Sequence, residues 1–297
     1  MLCIVGTIPL DDSTLLEGAV EVTDEKLFVD GTSIDVTRGT PALLAAAAVT
    51  ATTLGRSIYT YLAGDTGTGK GSRHLHAHMA NVLPRIYFET ITFHYLQPII
   101  HWHKRLQTIL GNLSPKPALI ADAGYMYVAK MCGEAPFYDL FTPDVGELAF
   151  LADEKAPHPF YTRGFLLQDA NRVPQLISRA YTHGNAARHL IVKGETDYLA
   201  TEEGIVGTVS EPASEAMEAI GGTGDTLTGI VSVLIDSGMP IGDAALVAMK
   251  VNRCAGCRAW PTPATQIFEI IRHIPRALGD VLRDDTLKNK SIEREGV

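Results

Sequence analysis

Three glycines and an aspartate stand within five residues of one another, in the segment Gly221-Gly222-Thr223-Gly224-Asp225. A glycine-rich backbone can turn its N–H groups inward, and the apolar run that follows directly is typical of a helix. Inward amides and the positive end of a helix dipole together form an anion site. Asp225 falls in the first turn, where a carboxylate can take a proton from a hydroxyl that attacks a bound phosphate. The segment predicts a phosphate site with its own base, while a helix start capped by Asp or Thr remains an open alternative.

A second glycine-rich loop, residues 64–72 with the sequence GDTGTGKGS, follows a strand and precedes a helix. It is similar to a P-loop, in which a hydroxyl directly after the lysine holds magnesium. Gly71 stands in that place and Ser72 comes one residue late, which rotates the hydroxyl by about 100° around the helix. The spacing therefore disfavours a P-loop. We expect instead a second phosphate or dinucleotide contact on the substrate side, with Lys70 as the cation.

Histidines and cysteines raise the question of a metal site. Two of the six histidines between residues 74 and 103 share a helix face, but no carboxylate completes a metalloprotease signature. Cys254 and Cys257 form a lone CxxC with no second pair for zinc, which indicates helix packing by small residues. Ordinary surface or pocket histidines are expected at these positions: His74, His76, His78, His94, His101 and His103.

Strand-like and helix-like segments alternate along most of the chain, which predicts an α/β fold with a mostly parallel central sheet between two layers of helices. Ligands in such sheets bind outside the carboxyl ends of the strands. Asp122 directly follows a short strand-like run, so it is a candidate for the active edge, with a helix-capping turn residue as the open alternative. The expected strands are Leu2–Ile8, Ser57–Leu62, Ile86–Phe93, Ala118–Ile120 and His189–Val192, with hairpins at Ala19–Val36 and Asp197–Val209. Near the end of the chain, one helix is expected over Ala264–Leu278.

Composition limits the classes of partner. The chain has 297 residues, 46% of them hydrophobic, and a net charge of −9, which argues against nucleic acid and anionic membranes as partners. No apolar run reaches the ~18 residues of a spanning helix, and the opening segment is expected to form a strand rather than a signal peptide. Four cysteines make no disulfide framework, so a cytoplasmic location is expected. We expect one domain over residues 1–282 and a charged tail over 283–297 that frays.

Four segments in order resemble a known family. GGTGDTLTGI, from residue 221, is similar to the anion-hole motif of the ribokinase-like superfamily, and most similar to that of the ADP- or ATP-dependent NAD(P)H-hydrate dehydratases. The segments that start at Gly39 (GTPALLA), Phe141 (FTPDVGEL) and Ile191 (IVKG, followed by LAT) resemble further motifs of that family. The resemblance is strongest from about Ala118 to Ala259 and implies a ribokinase-like three-layer α/β/α sandwich, a small-molecule substrate, ADP or ATP, and Mg²⁺. A homo-oligomer is also expected.

The resemblance implies a role for individual residues. Asp225 would be the general base, and the backbone of Gly221, Gly222, Thr223 and Gly224 would hold the transferring phosphate. Glu147 would order magnesium through water, and a glutamate that complements the dipole at a helix start is the open alternative. Lys193 would reach a phosphate or be solvated, and adenine would lie near Asn252. The candidates on the substrate side are Gly39, Thr40, Lys70, Asp122 and Asp144.

Two departures from the dehydratase pattern concern the substrate. Glu215 stands where the family usually has Asn, and Asp144 stands where it has His. The resemblance implies nucleotide-dependent dehydration of hydrated NAD(P)H. The alternatives are an ATP-dependent kinase of a small hydroxylated metabolite, such as a sugar or vitamin, and a non-catalytic nucleotide sensor.

Overall fold

A computed structural model describes residues 1–10, 14–155 and 172–295 of the chain. Within these ranges the strands form one eleven-stranded sheet, which is the middle layer of the molecule. In chain order the strands are β1 (Leu2–Ile8), β2 (Leu15–Thr23), β3 (Lys26–Val29), β4 (Thr32–Asp35), β5 (Ile58–Gly64), β6 (Thr90–His94), β7 (Ala118–Ala121), β8 (Leu140–Phe141), β9 (His189–Val192), β10 (Asp197–Thr201) and β11 (Gly204–Val209).

The centre of the sheet is parallel and both its margins are antiparallel. The strand order is β11-β10-β9-β8-β7-β6-β1-β5-β2-β3-β4, and the six strands from β9 to β5 run in one direction. β1 is apolar along nearly its whole length and buried at every residue, as expected of a strand covered on both faces. The carboxyl ends of the six parallel strands consequently meet at one edge of the sheet.

Helices cover both faces of the sheet. Leu2 and Ile4 of β1 pack into one apolar cluster with α1, α7, α8, α9 and α10, whereas Cys3 and Val5 pack into a second cluster with the other five helices. The helices are α1 (Thr40–Thr53), α2 (Lys70–Val82), α3 (Ile100–Gly111), α4 (Gly124–Met131), α5 (Val145–Ala152), α6 (Val173–Thr182), α7 (Thr223–Asp236), α8 (Ile241–Arg258), α9 (Ile267–Ile271) and α10 (Ile274–Glu295).

The three-layer fold class expected from the sequence is confirmed, and the expected strands are present with end shifts of a few residues. Three segments differ. α3 lies where no element was expected, and the single helix expected over Ala264–Leu278 is divided into α9 and α10. α10 continues through the segment expected to form a separate tail, as far as Glu295. That this segment frays, and that residues 1–282 form one domain, remain predictions. In the described residues no helix is long and apolar enough to cross a membrane.

Candidate active site

Polar side chains follow neighbouring parallel strands at the carboxyl edge of the sheet. β6 ends at His94, Asp122 comes directly after β7, and Lys193 comes directly after β9. A cleft of about 720 Å³ opens along this edge. Its lining includes six polar residues from five different segments: Asp122, Asp144, Glu147, Lys193, Asp225 and Asn252.

The glycine-rich turn enters the cleft at the start of α7. Gly222 has φ 104°, and a Cβ atom there would lie 2.9 Å from Cγ1 of Ile267, so only glycine fits the turn. α7 begins without a side-chain cap in the described part of the chain, which leaves the amides of its first turn directed at the cleft. A Cβ atom on Gly224 would lie 3.3 Å from Cδ of Lys193. The turn and the lysine are therefore close enough to hold one anion between them.

Asp225 is fixed through both of its oxygens. Oδ2 accepts a hydrogen bond from the amide of Gly39 at 2.7 Å, and Oδ1 lies 3.1 Å from Nε2 of His94. Burial alone would raise the pKa of this carboxyl, but the contacts with His94, the charge of Lys193 and the Gly39 amide together hold the pKa below its ordinary value. Asp225 is accordingly ionised at neutral pH, as a general base must be before it takes a proton.

Gly39 and Thr40 support this carboxylate. Beyond the bond from the Gly39 amide to Asp225, Thr40 is buried and its hydroxyl lies 2.9 Å from Nδ1 of His94. Both residues were expected to face the substrate. The Gly39 amide and the Thr40 hydroxyl contact Asp225 and its neighbour His94, and the expected position of both residues on the substrate side remains a prediction.

Lys193 forms a buried ion pair with Asp122. Its Nζ donates to both oxygens of Asp122 at 3.1 Å, and Asp122 also accepts a hydrogen bond from Thr228 at 2.6 Å. Burial would lower the pKa of Lys193, but the surrounding carboxylates, Asp122 first among them, raise it above its ordinary value. Lys193 therefore stays charged beside the glycine turn. The sequence left two alternatives for Lys193, contact with a phosphate or exposure to solvent, and its position allows contact with a phosphate.

Arg253 of α8 braces the loop that carries Lys193. Its guanidinium pairs with Asp197 at 2.8 Å and donates to the carbonyl oxygens of Gly194, Glu195 and Ser210. Both members of the ion pair are almost fully buried. The sequence analysis did not identify this arginine, because its partners lie more than forty positions away along the chain.

Glu147 and Asp144 cap the start of α5. Each side chain accepts a hydrogen bond from the backbone amide of the other, at 2.7 and 2.8 Å, and the hydroxyl of Tyr127 lies 3.3 Å from Glu147. Burial and the nearby charges of Asp122 and Asp144 raise the pKa of Glu147 to about 8, although Lys193 opposes them. This surplus of carboxylate oxygen fits a hard divalent cation such as Mg²⁺. The proposed magnesium role of Glu147 is therefore compatible with its surroundings.

Asn252 connects α8 to the glycine turn. Its side-chain oxygen accepts from the hydroxyl of Thr226 at 2.6 Å, and its Nδ2 donates to the carbonyl oxygen of Thr223 at 3.0 Å. The residue is buried but borders the cleft. It therefore holds the start of α7 in place, and its expected position near the adenine remains a prediction.

The loop over residues 64–72 is folded around its own carboxylate. Asp65 accepts hydrogen bonds from the amides of Gly67, Gly69 and Ser72 and from the Ser72 hydroxyl, at 2.8–3.0 Å. Amides that a P-loop would direct at a phosphate are thus occupied by Asp65. Lys70 is exposed and does not line the cleft, so the structure does not bring it to the other candidate residues.

His94 is the functional neighbour that sequence reasoning did not assign. It was grouped with ordinary histidines, yet it is fully buried and contacts Asp225. The available signal was its position directly after an expected strand at the active edge. Glu215, one of the two departures from the dehydratase pattern, also lines the cleft, as does the other, Asp144.

Comparisons with known proteins identify the family of the chain. A family model described as NAD(P)H-hydrate dehydratase, of the carbohydrate-kinase group, matches residues 99–276, which is more than half of the chain. The chain is 47% identical over 221 residues to an uncharacterized protein of Methanocaldococcus jannaschii, and the match covers 74% of this chain and 90% of that protein.

Solved structures share the fold at low sequence identity. A ribokinase-like superfamily protein of Enterococcus faecalis superposes with a TM-score of 0.58 at 16% identity, covering 94% of this chain and 86% of the other. The ADP/ATP-dependent NAD(P)H-hydrate dehydratase of Bacillus subtilis was crystallized with ATP and Mg²⁺ and soaked with CoA. It superposes with a TM-score of 0.55 at 16% sequence identity, covering 94% of this chain and 92% of the other. Pyridoxal kinase of Staphylococcus aureus in complex with pyridoxal superposes with a TM-score of 0.54 at 11% sequence identity, covering 86% of this chain and 87% of the other. The chain belongs to the NAD(P)H-hydrate dehydratase family of carbohydrate-kinase-like proteins, and it shares its fold with a ribokinase-like superfamily protein.

Proposed function

We propose that this protein is an adenine-nucleotide-dependent dehydratase that restores hydrated NAD(P)H. The observation that carries the proposal is the ionised carboxylate of Asp225, which is held by Gly39 and His94 beside the open amides at the start of α7. A base next to an anion site is the arrangement that phosphoryl transfer to a hydroxyl requires. The family of the chain and the bound ATP and Mg²⁺ of the Bacillus subtilis relative support the choice of ligands.

In the proposed reaction Asp225 takes the proton of the substrate hydroxyl while the hydroxyl oxygen attacks the terminal phosphate of ADP or ATP. The bond from that phosphate to the bridging oxygen breaks, and AMP or ADP leaves. Lys193 and the amides of Gly222 and Gly224 neutralise the charge that develops on the transferring group. The carbon–oxygen bond of the phosphate ester then breaks, inorganic phosphate leaves with the oxygen, and loss of a neighbouring C–H proton to solvent forms the double bond. Magnesium ordered by Glu147 would supply further charge neutralisation on the phosphates.

A kinase that stops after phosphoryl transfer is the second candidate, and a specific observation favours it. Asp144 and Glu215 depart from the dehydratase pattern, and both line the cleft. Two added carboxylates repel the pyrophosphate of a dinucleotide and favour a neutral or cationic acceptor. Asp225 and the glycine turn would serve this reaction unchanged, because both reactions share the first step.

Turnover assays separate the two candidates. The protein is incubated with hydrated NADH or NADPH and with ADP or ATP, and the absorbance of the reduced nicotinamide is followed. Growth of that signal supports the dehydratase, whereas nucleotide consumption only with added sugars or vitamins supports the kinase. Nucleotide binding without turnover in either assay contradicts both and leaves a sensor.

Asp225→Asn is the matched variant. Loss of the base should lower turnover by about 10²–10⁴-fold while nucleotide affinity, measured by calorimetry, stays within a few-fold of the wild type. Near-normal turnover in this variant would contradict the proposed mechanism for both candidates.

A further inference from the structure

His94 stands at the junction of three elements that build the site. It is the last residue of β6 and is fully buried. Nε2 lies 3.1 Å from Oδ1 of Asp225, and Nδ1 lies 2.9 Å from the hydroxyl of Thr40 at the start of α1. One imidazole thereby links the residue proposed as the base to the helix that follows Gly39. A general base depends on such a hydrogen-bond partner when the surroundings of its carboxylate favour the protonated form.

The surroundings of Asp225 are unfavourable to an ionised base. The carboxylate of Asp122 comes from the end of β7, and Glu147 lies across the cleft on α5. Lys193, at the end of β9, gives both of its short contacts to Asp122, and its charge favours the ionised form of Asp225 without a hydrogen bond to it. The phenol of Tyr95 follows β6, carries no positive charge, and packs its ring against His94. Burial near like charges shifts a carboxylic acid toward its protonated form, in which it cannot act as a base.

Two donors counteract this effect at Asp225 itself. The amide of Gly39 donates to Oδ2, and Nε2 of His94 faces Oδ1. Since an ionised carboxylate cannot donate, Nε2 must carry the proton in this contact. A neutral imidazole protonated at Nε2 has its lone pair on Nδ1, and the hydroxyl of Thr40 can donate to it. The short contacts at both nitrogens are therefore consistent with one tautomer.

We propose that His94 is a positioning residue that keeps Asp225 ionised and oriented by donating its Nε2–H to Oδ1, and that Thr40 fixes the imidazole in the required tautomer. The inference rests on the proposed function in so far as Asp225 is the base. It goes further because it assigns the protonation state of that base to a residue outside the recognised motifs. Nε2 of His94 lies 3.9 Å from the nearer oxygen of Asp122 and 3.1 Å from Oδ1 of Asp225, so replacement of His94 should act first on Asp225.

The pH dependence of kcat/KM tests this assignment. In His94→Leu the pKa of Asp225 should rise by about one unit or more, so the acidic limb moves to higher pH and activity recovers as the pH increases. His94→Gln can still donate one amide N–H to Asp225, and its profile should lie closer to the wild type. The exposed His101 supplies the control, and His101→Leu should leave the profile unchanged. A uniform loss of activity at all pH values in His94→Leu, with no displaced limb, would overturn the proposal.

A second measurement does not depend on the substrate. NMR of the protein labelled with ¹⁵N-histidine reports the protonation of each ring nitrogen of His94. Protonated Nε2 and bare Nδ1 are expected, with a chemical-shift change at Nε2 in Asp225→Asn and a change of tautomer population in Thr40→Val. A bare Nε2 opposite Asp225 in the wild type would overturn the proposal. If the expected tautomer is found but hydrated NAD(P)H is not turned over, the proposed function fails and the role of His94 stands.

Discussion

Removal of the Lys193 ammonium should destabilise the whole protein, because it leaves a buried carboxylate without its cation. Nζ lies 3.1 Å from both oxygens of Asp122, and Asp122 is only 1% exposed. In Lys193→Met the carboxylate keeps the hydrogen bonds from Thr228 and from the amide of Ala123. Those neutral donors do not replace a full charge, so Asp122 either stays ionised in an unfavourable site or takes up a proton.

The burial of the pair sets the size of the effect. Breaking a buried ion pair by removing one partner costs about 3–5 kcal/mol. The two hydrogen bonds that Asp122 retains place the expected loss at the lower end, about 3 kcal/mol, which is a large part of the ~5–15 kcal/mol that stabilises a typical protein. Adding Asp122→Asn to Lys193→Met removes the unpaired charge, so the double variant should be more stable than the single one by about 2 kcal/mol.

Urea-induced unfolding at neutral pH, followed by circular dichroism, measures these free energies. Lys70→Met is the matched control, since Lys70 is exposed and its replacement should change stability by less than about 0.5 kcal/mol. A loss below about 1 kcal/mol for Lys193→Met would show that the pair is well solvated. A double variant no more stable than the single one would refute the reasoning from the unpaired carboxylate.

Gly222→Ala should lower the free energy of unfolding by about 2–4 kcal/mol, because the new Cβ meets a positive φ and lies 2.9 Å from Ile267. Gly224→Ala should instead weaken nucleotide binding by about tenfold in calorimetry, with little effect on unfolding; equal effects of the two would contradict their assignment. Asp65→Ala should cost about 1–3 kcal/mol near pH 7. Because the pKa of Asp65 lies below its ordinary value, this contribution is present above about pH 4 and lost as the pH falls further, and a difference that persists near pH 2 would contradict it. Mg²⁺ should raise the melting temperature more near pH 9 than near pH 6, since the pKa of Glu147 is about 8, and an unchanged difference in Glu147→Gln would exclude this ligand.

The parallel sheet and the glycine turn could be predicted because their signals are local. A buried strand such as Leu2–Ile8 is a continuous apolar run, and alternation of such runs with helices determines a parallel sheet. The turn over residues 221–225 combines glycine spacing with the apolar helix directly behind it. The helix α3 was missed although Leu106 and Leu110 recur at helical spacing, because the buried His103 stands where an apolar residue would complete the pattern.

The two glycine-rich loops show where local signals are insufficient. Both have glycines before a helix, yet one leaves its amides open to the cleft and the other encloses Asp65. The difference depends on whether the loop contains an acceptor that can turn inward. Ser72, which binds Asp65 and also accepts from the amide of Gln97, ties the second loop to the segment after β6. That tie joins residues distant in sequence, so no spacing rule within the loop could reveal it.

The residues that support Asp225 are far from it along the chain. Gly39 lies 186 positions away along the chain and His94 lies 131 positions away. Periodicity and motif spacing compare residues within one element, so they cannot show which strand end faces which turn. The topology supplies the missing step, since the carboxyl ends of parallel strands converge on one edge. Taking the polar residue at the end of each central strand as a neighbour of the strongest motif brings His94, Asp122 and Lys193 to Asp225, which is where the structure has them.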